Sequence, residues 1–181
     1  SHSRSQRTTQ PMENNMNSIK WTLLAATLAA APTLVSAQSA VITERTLSFA
    51  AAHEAAKAAL EHCQKGGYKV TITVLGRTGR TLVVLHDDGA NPHTIENAYR
   101  KAYTSLTFRI PSGEFGKRMA STPPPHGAMV LQNITSAEGA LPIFAGKELV
   151  GAMGISGAPG GHLDAACVQA GIDKIKSGLG G

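Results

Sequence analysis

The chain has 181 residues, 42% of them hydrophobic, 16% charged and 4% aromatic, with 19 glycines and a formal net charge of +5. That length allows one ordinary domain plus a tail, and the composition excludes a disordered or collagen-like chain. So modest a charge argues against a nucleic-acid partner, and two cysteines are too few for a disulfide scaffold or a four-cysteine zinc site.

At the N-terminal end, Met16-Asn17-Ser18-Ile19-Lys20 precedes an almost wholly apolar run over 21–35, which ends in Val35-Ser36-Ala37 before Gln38. This is the pattern of a secretory signal peptide with a small-x-small cleavage site. A run of about 15 residues falls short of the roughly 20 needed to span a bilayer, and Pro32 interrupts it. The expected organisation is an upstream tail over 1–15, a signal peptide over 16–37 and a single domain over 38–181, periplasmic or secreted, with no membrane span once the signal is cleaved. Loss of residues 1–37 removes three basic residues (Arg4, Arg7, Lys20) and one acid (Glu13), taking the net charge from +5 to +3. In an oxidising compartment Cys63 and Cys167 can pair if the fold brings them together.

The stretch 47–64 is alanine-rich, with Ala50, His53, Ala56, Lys57 and Leu60 on one helical side, and Gly66-Gly67 supplies the stop. Residues 68–75 alternate as a strand, 81–85 give a second, and Arg77-Thr78-Gly79-Arg80 makes a hairpin turn between them. A polar loop, His86 through Pro92, leads into a second helix over 94–108, whose Ile95, Ala98, Ala102, Ser105 and Leu106 recur at helical spacing. A shorter helix follows Pro111, Thr122-Pro123-Pro124-Pro125 forces an extended segment, and 129–131 reads as a short strand. Residues 142–145 and 148–156 form another hairpin around Gly146-Lys147, and a helix over 163–175 closes the chain. Hairpin-connected strands with interspersed helices predict an antiparallel sheet with helices on its faces, an α+β domain.

Two stretches carry a family resemblance. Gly139-Ala140-Leu141-Pro142-Ile143, Gly146, the run from Gly151 through Ala158 and Asp164 ahead of an alanine-rich helix form the first; Asp88-Gly89-Ala90, Ala98 and Lys101-Ala102-Tyr103-Thr104 form the second. Together they resemble the GlcG/HbpS-like family of secreted heme-binding and heme-degrading proteins and their relatives, over 47–175. The resemblance implies a profilin-like α/β/α sandwich around a five-stranded antiparallel sheet, assembled as a homo-oligomer. For the secreted branch it also implies heme binding, in sensing, scavenging or degradation.

His53 sits among alanines that leave room for a flat ligand, and a neutral imidazole is a standard axial ligand of heme iron; relatives with a histidine on the N-terminal helix strengthen that role. A structural histidine is the competing reading. Lys101 and Arg100 suit charge-assisted bonds to heme propionates, and Tyr103 or Thr104 offers an oxygen near iron. The resemblance places Thr104 at the iron, so His53 and Thr104 are the candidate metal ligands. His126, stiffened by Pro123 to Pro125, is a further candidate contact, while His62, His86, His93 and His162 read as surface residues. Glu114 stands alone, without the Glu-x-x-Glu pair used for surface iron in some relatives.

The glycines at 151, 154, 157, 160 and 161 invite comparison with a dinucleotide fingerprint, but their spacing and the preceding hairpin strand point to close packing instead. No Gly-x-Ser-x-Gly elbow is present, and Asp87-Asp88 on one loop are not facing carboxylates. Three readings stand: a heme-binding protein; an enzyme or accessory acting on a small organic acid around Asp88, Lys101 and the 157–161 turn; and a ligand-free oligomeric interaction module.

Overall fold

A computed structural model describes residues 39–121 and 127–180. The 21–35 run, its cleavage site, the 122–125 proline segment and His126 lie outside the described residues.

The first helix, α1, spans Phe49–Lys65, and Ser48 caps it by accepting a bond from the Ala51 amide. Its buried side is Ala52, Ala55, Ala56, Ala59 and Cys63, so only methyl groups and one sulfur separate this helix from what it covers. Strands β1 (Thr71–Gly76) and β2 (Thr81–His86) follow, then α2 (His93–Phe108) and α3 (Ser112–Ala120). The second hairpin is β3 (Ala140–Ala145) and β4 (Glu148–Ser156), and α4 spans Gly161–Ile175.

The strands form one antiparallel sheet in the order β2-β1-β4-β3, so the two hairpins lie side by side and join through β1 and β4. Both central strands are buried nearly throughout, as expected for strands covered on both faces. Ile72, Val74, Met153 and Ile155 point to the layer made by α1 and α4; Leu75, Leu149 and Ala152 meet Ala102 and Leu106 of α2 on the other face. The α/β/α layering expected from the resemblance is therefore present.

The strand count differs from that expectation. Among the described residues the sheet has four strands, not five. The segment read as a strand at 129–131 belongs to a 3-10 turn at Gly127–Val130, with its backbone spent locally in bonds such as Leu131 N to Ala128 O. Val130 and Leu131 are exposed there, so the apolar character of this segment is not answered by a sheet partner.

Two features hold the layers close. Cys63 and Cys167 are joined in a disulfide between α1 and α4, with their Cα atoms 5.6 Å apart. On the opposite face Gly154 of β4 lies directly under α2: a Cβ there would stand 2.4 Å from the Ala98 carbonyl oxygen and 2.6 Å from the Ala102 nitrogen. Gly154 thus has a packing role, which answers the question its spacing raised.

Replacing Cys63 by Ala is expected to lower unfolding stability by about 2–5 kcal/mol, since the bridge closes a loop of more than a hundred residues. Gly154→Ala is expected to cost about 1–3 kcal/mol by lifting α2 from the sheet. Denaturant midpoints of the oxidised protein and the variants check both values, and an unchanged midpoint for Gly154→Ala would show that α2 has room to move.

Candidate functional site

The close seat of α2 on Gly154 carries its polar side chains to the end of the sheet where β4 turns into α4. Lys101 is 3% exposed, yet its ammonium is 2.8 Å from Asp164 Oδ2 and donates to the Ile155 carbonyl at 3.0 Å. Asp164, in the first turn of α4 and 2% exposed, accepts a second bond at Oδ1 from the Ala158 amide at 3.0 Å. Gly139 makes the space: its φ is +130°, and a Cβ there would lie 2.7 Å from Lys101 Nζ. The residues that carry the family resemblance, Gly139, Lys101 and Asp164, thus converge on one buried ion pair.

Burial pushes the Asp164 carboxyl above the ordinary value of 3.8, and the charge of Lys101, its bond to that ammonium and the Ala158 amide oppose the rise. Beside the pair opens a cleft of about 330 Å³ whose rim includes Asn97, Ser156, His93 and the 157–161 turn. Asn97 Nδ2 donates to Ser156 Oγ at 2.9 Å. Asp88, grouped with Lys101 for small-acid chemistry, is exposed and does not line this cleft. Its neighbour Asp87 is buried, accepting from Gln64 and pairing with Lys69.

The other candidates on α2 serve a neighbouring segment. Thr104 is fully buried; its hydroxyl donates to the Arg100 carbonyl at 2.8 Å and accepts from the Thr135 amide at 2.9 Å. Arg100 Nη2 donates to the Ile134 carbonyl at 3.0 Å, and Nη1 is 3.5 Å from exposed Glu96. Arg100 and Thr104 therefore hold the 134–135 backbone between them. The half-buried Tyr103 turns to the other flank of α2, where its ring stacks on Tyr99 at 5.8 Å.

His53 stands apart from all of these. It is exposed on α1, stacked against Phe49 at a ring separation of 5.9 Å, and no described residue hydrogen-bonds its ring nitrogens. Since α1 and α2 cover opposite faces of the sheet, one heme within a single chain cannot meet both His53 and Thr104, the two candidate iron ligands. Among the described residues Glu114 pairs with Arg118 of its own helix alone, at 3.1 Å. Among the described residues no three His, Cys, Asp or Glu side chains gather to hold a metal ion, and no helix is long and apolar enough to cross a membrane.

The partnership of Lys101 with Asp164 is what sequence reasoning missed. Both residues were visible in the motifs, but they are 63 positions apart and nothing in their spacing links them. Lys101→Met is expected to destabilise the fold by about 3–5 kcal/mol by stranding the Asp164 charge, and the double change with Asp164→Leu is expected to recover most of that loss. The Asp164 carboxyl should titrate above 3.8 in a carbon NMR experiment. Its contribution to stability is then complete below 3.8 and is lost as pH rises through the folded value. A midpoint below 3.8 would show that Lys101 outweighs burial.

Comparison with known proteins bears on this arrangement. No curated protein matches the sequence, whereas the family model described as "Haem degrading protein HbpS-like" matches residues 47–173. A crystal structure of HbpS is 35% identical with a TM-score of 0.71, covering 77% of this chain and 97% of that one. A double mutant of Streptomyces reticuli HbpS gives 36% identity and a TM-score of 0.70, over 80% of this chain and 97% of that one. A complex of PduOC with heme shares the fold at 23% identity and a TM-score of 0.65, over 72% of this chain and 95% of that one. With the match running from α1 through most of α4, and with HbpS as a structural relative at this identity, the chain belongs to the HbpS-like family.

Proposed function

We propose that this protein binds heme on the outer flank of α1, outside the cytoplasm, with His53 as the ligand to iron. The observation that carries the reading is the state of the two candidate ligands. Thr104 has its proton and a lone pair committed inside the protein, while His53 offers an exposed imidazole without a hydrogen-bond partner among the described residues. Phe49, 65% exposed one turn before it, adds an apolar plate beside the ring. An aromatic ring left that open gains by being covered, and a flat porphyrin covers it well. Membership of the HbpS-like family and the heme held by PduOC support the same ligand class. Bound heme would supply a redox-active iron, and the protein would supply the His53 imidazole nitrogen and the apolar ring of Phe49 to hold it.

The proposed location rests on two supports. The expected signal peptide is one, and the disulfide between Cys63 and Cys167 is the other, since such bridges persist mainly in oxidising compartments.

Titration with hemin is expected to give a sharp, saturable Soret band. His53→Ala is expected to weaken binding by at least about tenfold and to change the band, since even partners of a ligand commonly cost that much. A featureless, non-saturating rise with the unmodified protein would reject the heme reading and turn attention to the cleft beside Lys101, where small carboxylates would be screened by thermal shift.

A further inference from the structure

A chain of hydrogen bonds runs inward from the end of β2. His86 Nδ1 is 2.7 Å from Thr71 Oγ1, which is 2.7 Å from Thr94 Oγ1, and Thr94 Oγ1 in turn donates to the Asn91 carbonyl. A carbonyl oxygen only accepts, so the single hydroxyl proton of Thr94 is spent there. Thr94 must then accept from Thr71, whose own proton is thereby spent, and Thr71 must accept from His86. Thr71 and Thr94 are 0% and 1% exposed, so solvent is not on hand to reverse the order. Neutral His86 is therefore held with its proton on Nδ1, leaving the lone pair on Nε2. The ring is exposed, anchored on its inner nitrogen with the other nitrogen unprotonated, which is how metal-ligating histidines are held by their outer partners.

The surroundings limit what such a nitrogen can take. No three ligating side chains gather among the described residues, so a bare ion has no cage, and the metal must bring its own equatorial donors. Beside His86 runs an apolar strip. Val84 lies two residues back on the same face of β2, and Ile95 is on α2; both are 46% exposed. The half-buried Tyr99 lies one turn beyond Ile95, on the flank of α2 where Tyr103 approaches Gly79 of the β1–β2 turn. A planar macrocycle with an apolar body and an open axial metal position suits a lone imidazole flanked by the exposed Val84 and Ile95.

We infer that His86 is an iron ligand for a second heme, seated along the β2–α2 strip on the sheet face opposite α1. The inference rests on the heme reading for the identity of the macrocycle and on the hydroxyl chain alone for the state of the imidazole. Nitrogen and carbon NMR of histidine-labelled protein is expected to show His86 as the Nδ1–H tautomer, and Thr71→Val to return it to the Nε2–H form that an isolated imidazole prefers. Hemin titrated into the unmodified protein is expected to saturate at two per chain, at one in His53→Ala and in His86→Ala, and to lose its histidine-type band in the double variant. An Nε2–H tautomer in the unmodified protein overturns the inference. So does a His86→Ala protein with unchanged stoichiometry and spectrum, which leaves the α1 site standing. Absence of any saturable band in the unmodified protein removes both.

Discussion

The ion pair between Lys101 and Asp164 is the contact on which the rest of this fold turns. It ties α2, on one face of the sheet, to the first turn of α4, whose body covers the other, so the two helical layers are referenced to each other at the end of β4. Two charges removed from water are costly unless every remaining donor and acceptor finds a partner. Here the Ile155 carbonyl and the Ala158 amide supply those partners, and the missing side chain at Gly139 supplies the space. The glycine-rich stretch that follows β4 is in this light a packing solution, with Gly157 close to the Lys69 carbonyl and Gly161 close to that of Glu138.

Close approach is the second constraint, and small residues meet it. Alanines line the inner side of α1, the disulfide fixes α1 to α4, and Gly154 lets the backbone of α2 rest on β4. A core of this kind buries few large side chains per helix and leaves aromatic residues at its margins. Phe49 beside His53 and Tyr99 near Ile95 are such margins, on opposite faces of the sheet. The first of these sets an apolar ring against the exposed imidazole of His53.

The α2 motif has consequently divided among several duties. Lys101 serves the interior, Arg100 and Thr104 hold the 134–135 backbone, and Tyr103 joins the flank above the β1–β2 turn. Four neighbours that read as one ligand-facing turn in the sequence point in different directions because successive helical residues are separated by about 100°. Their local spacing was legible; the layer each one meets was not.

Periodicity and turn residues were enough to locate the four α-helices and two hairpins of the described residues, because each depends on local spacing, caps and glycine stops. The motifs around Gly139 to Asp164 and at Lys101 were likewise enough to indicate the family. The fifth strand failed because a short apolar segment specifies a strand only when a sheet edge receives it, and residues 127–130 close on themselves instead. Pairing across long separations was out of reach for the same reason: Lys101 with Asp164, Cys63 with Cys167, and His86 with Thr71 and Thr94 meet only when the layers stack. By itself, then, the sequence determined the elements and the kind of fold, which follow from interactions between near neighbours. Only the tertiary structure decided which charges are buried, which hydroxyls are committed and which imidazoles remain open, because those states depend on what the other layers bring into contact.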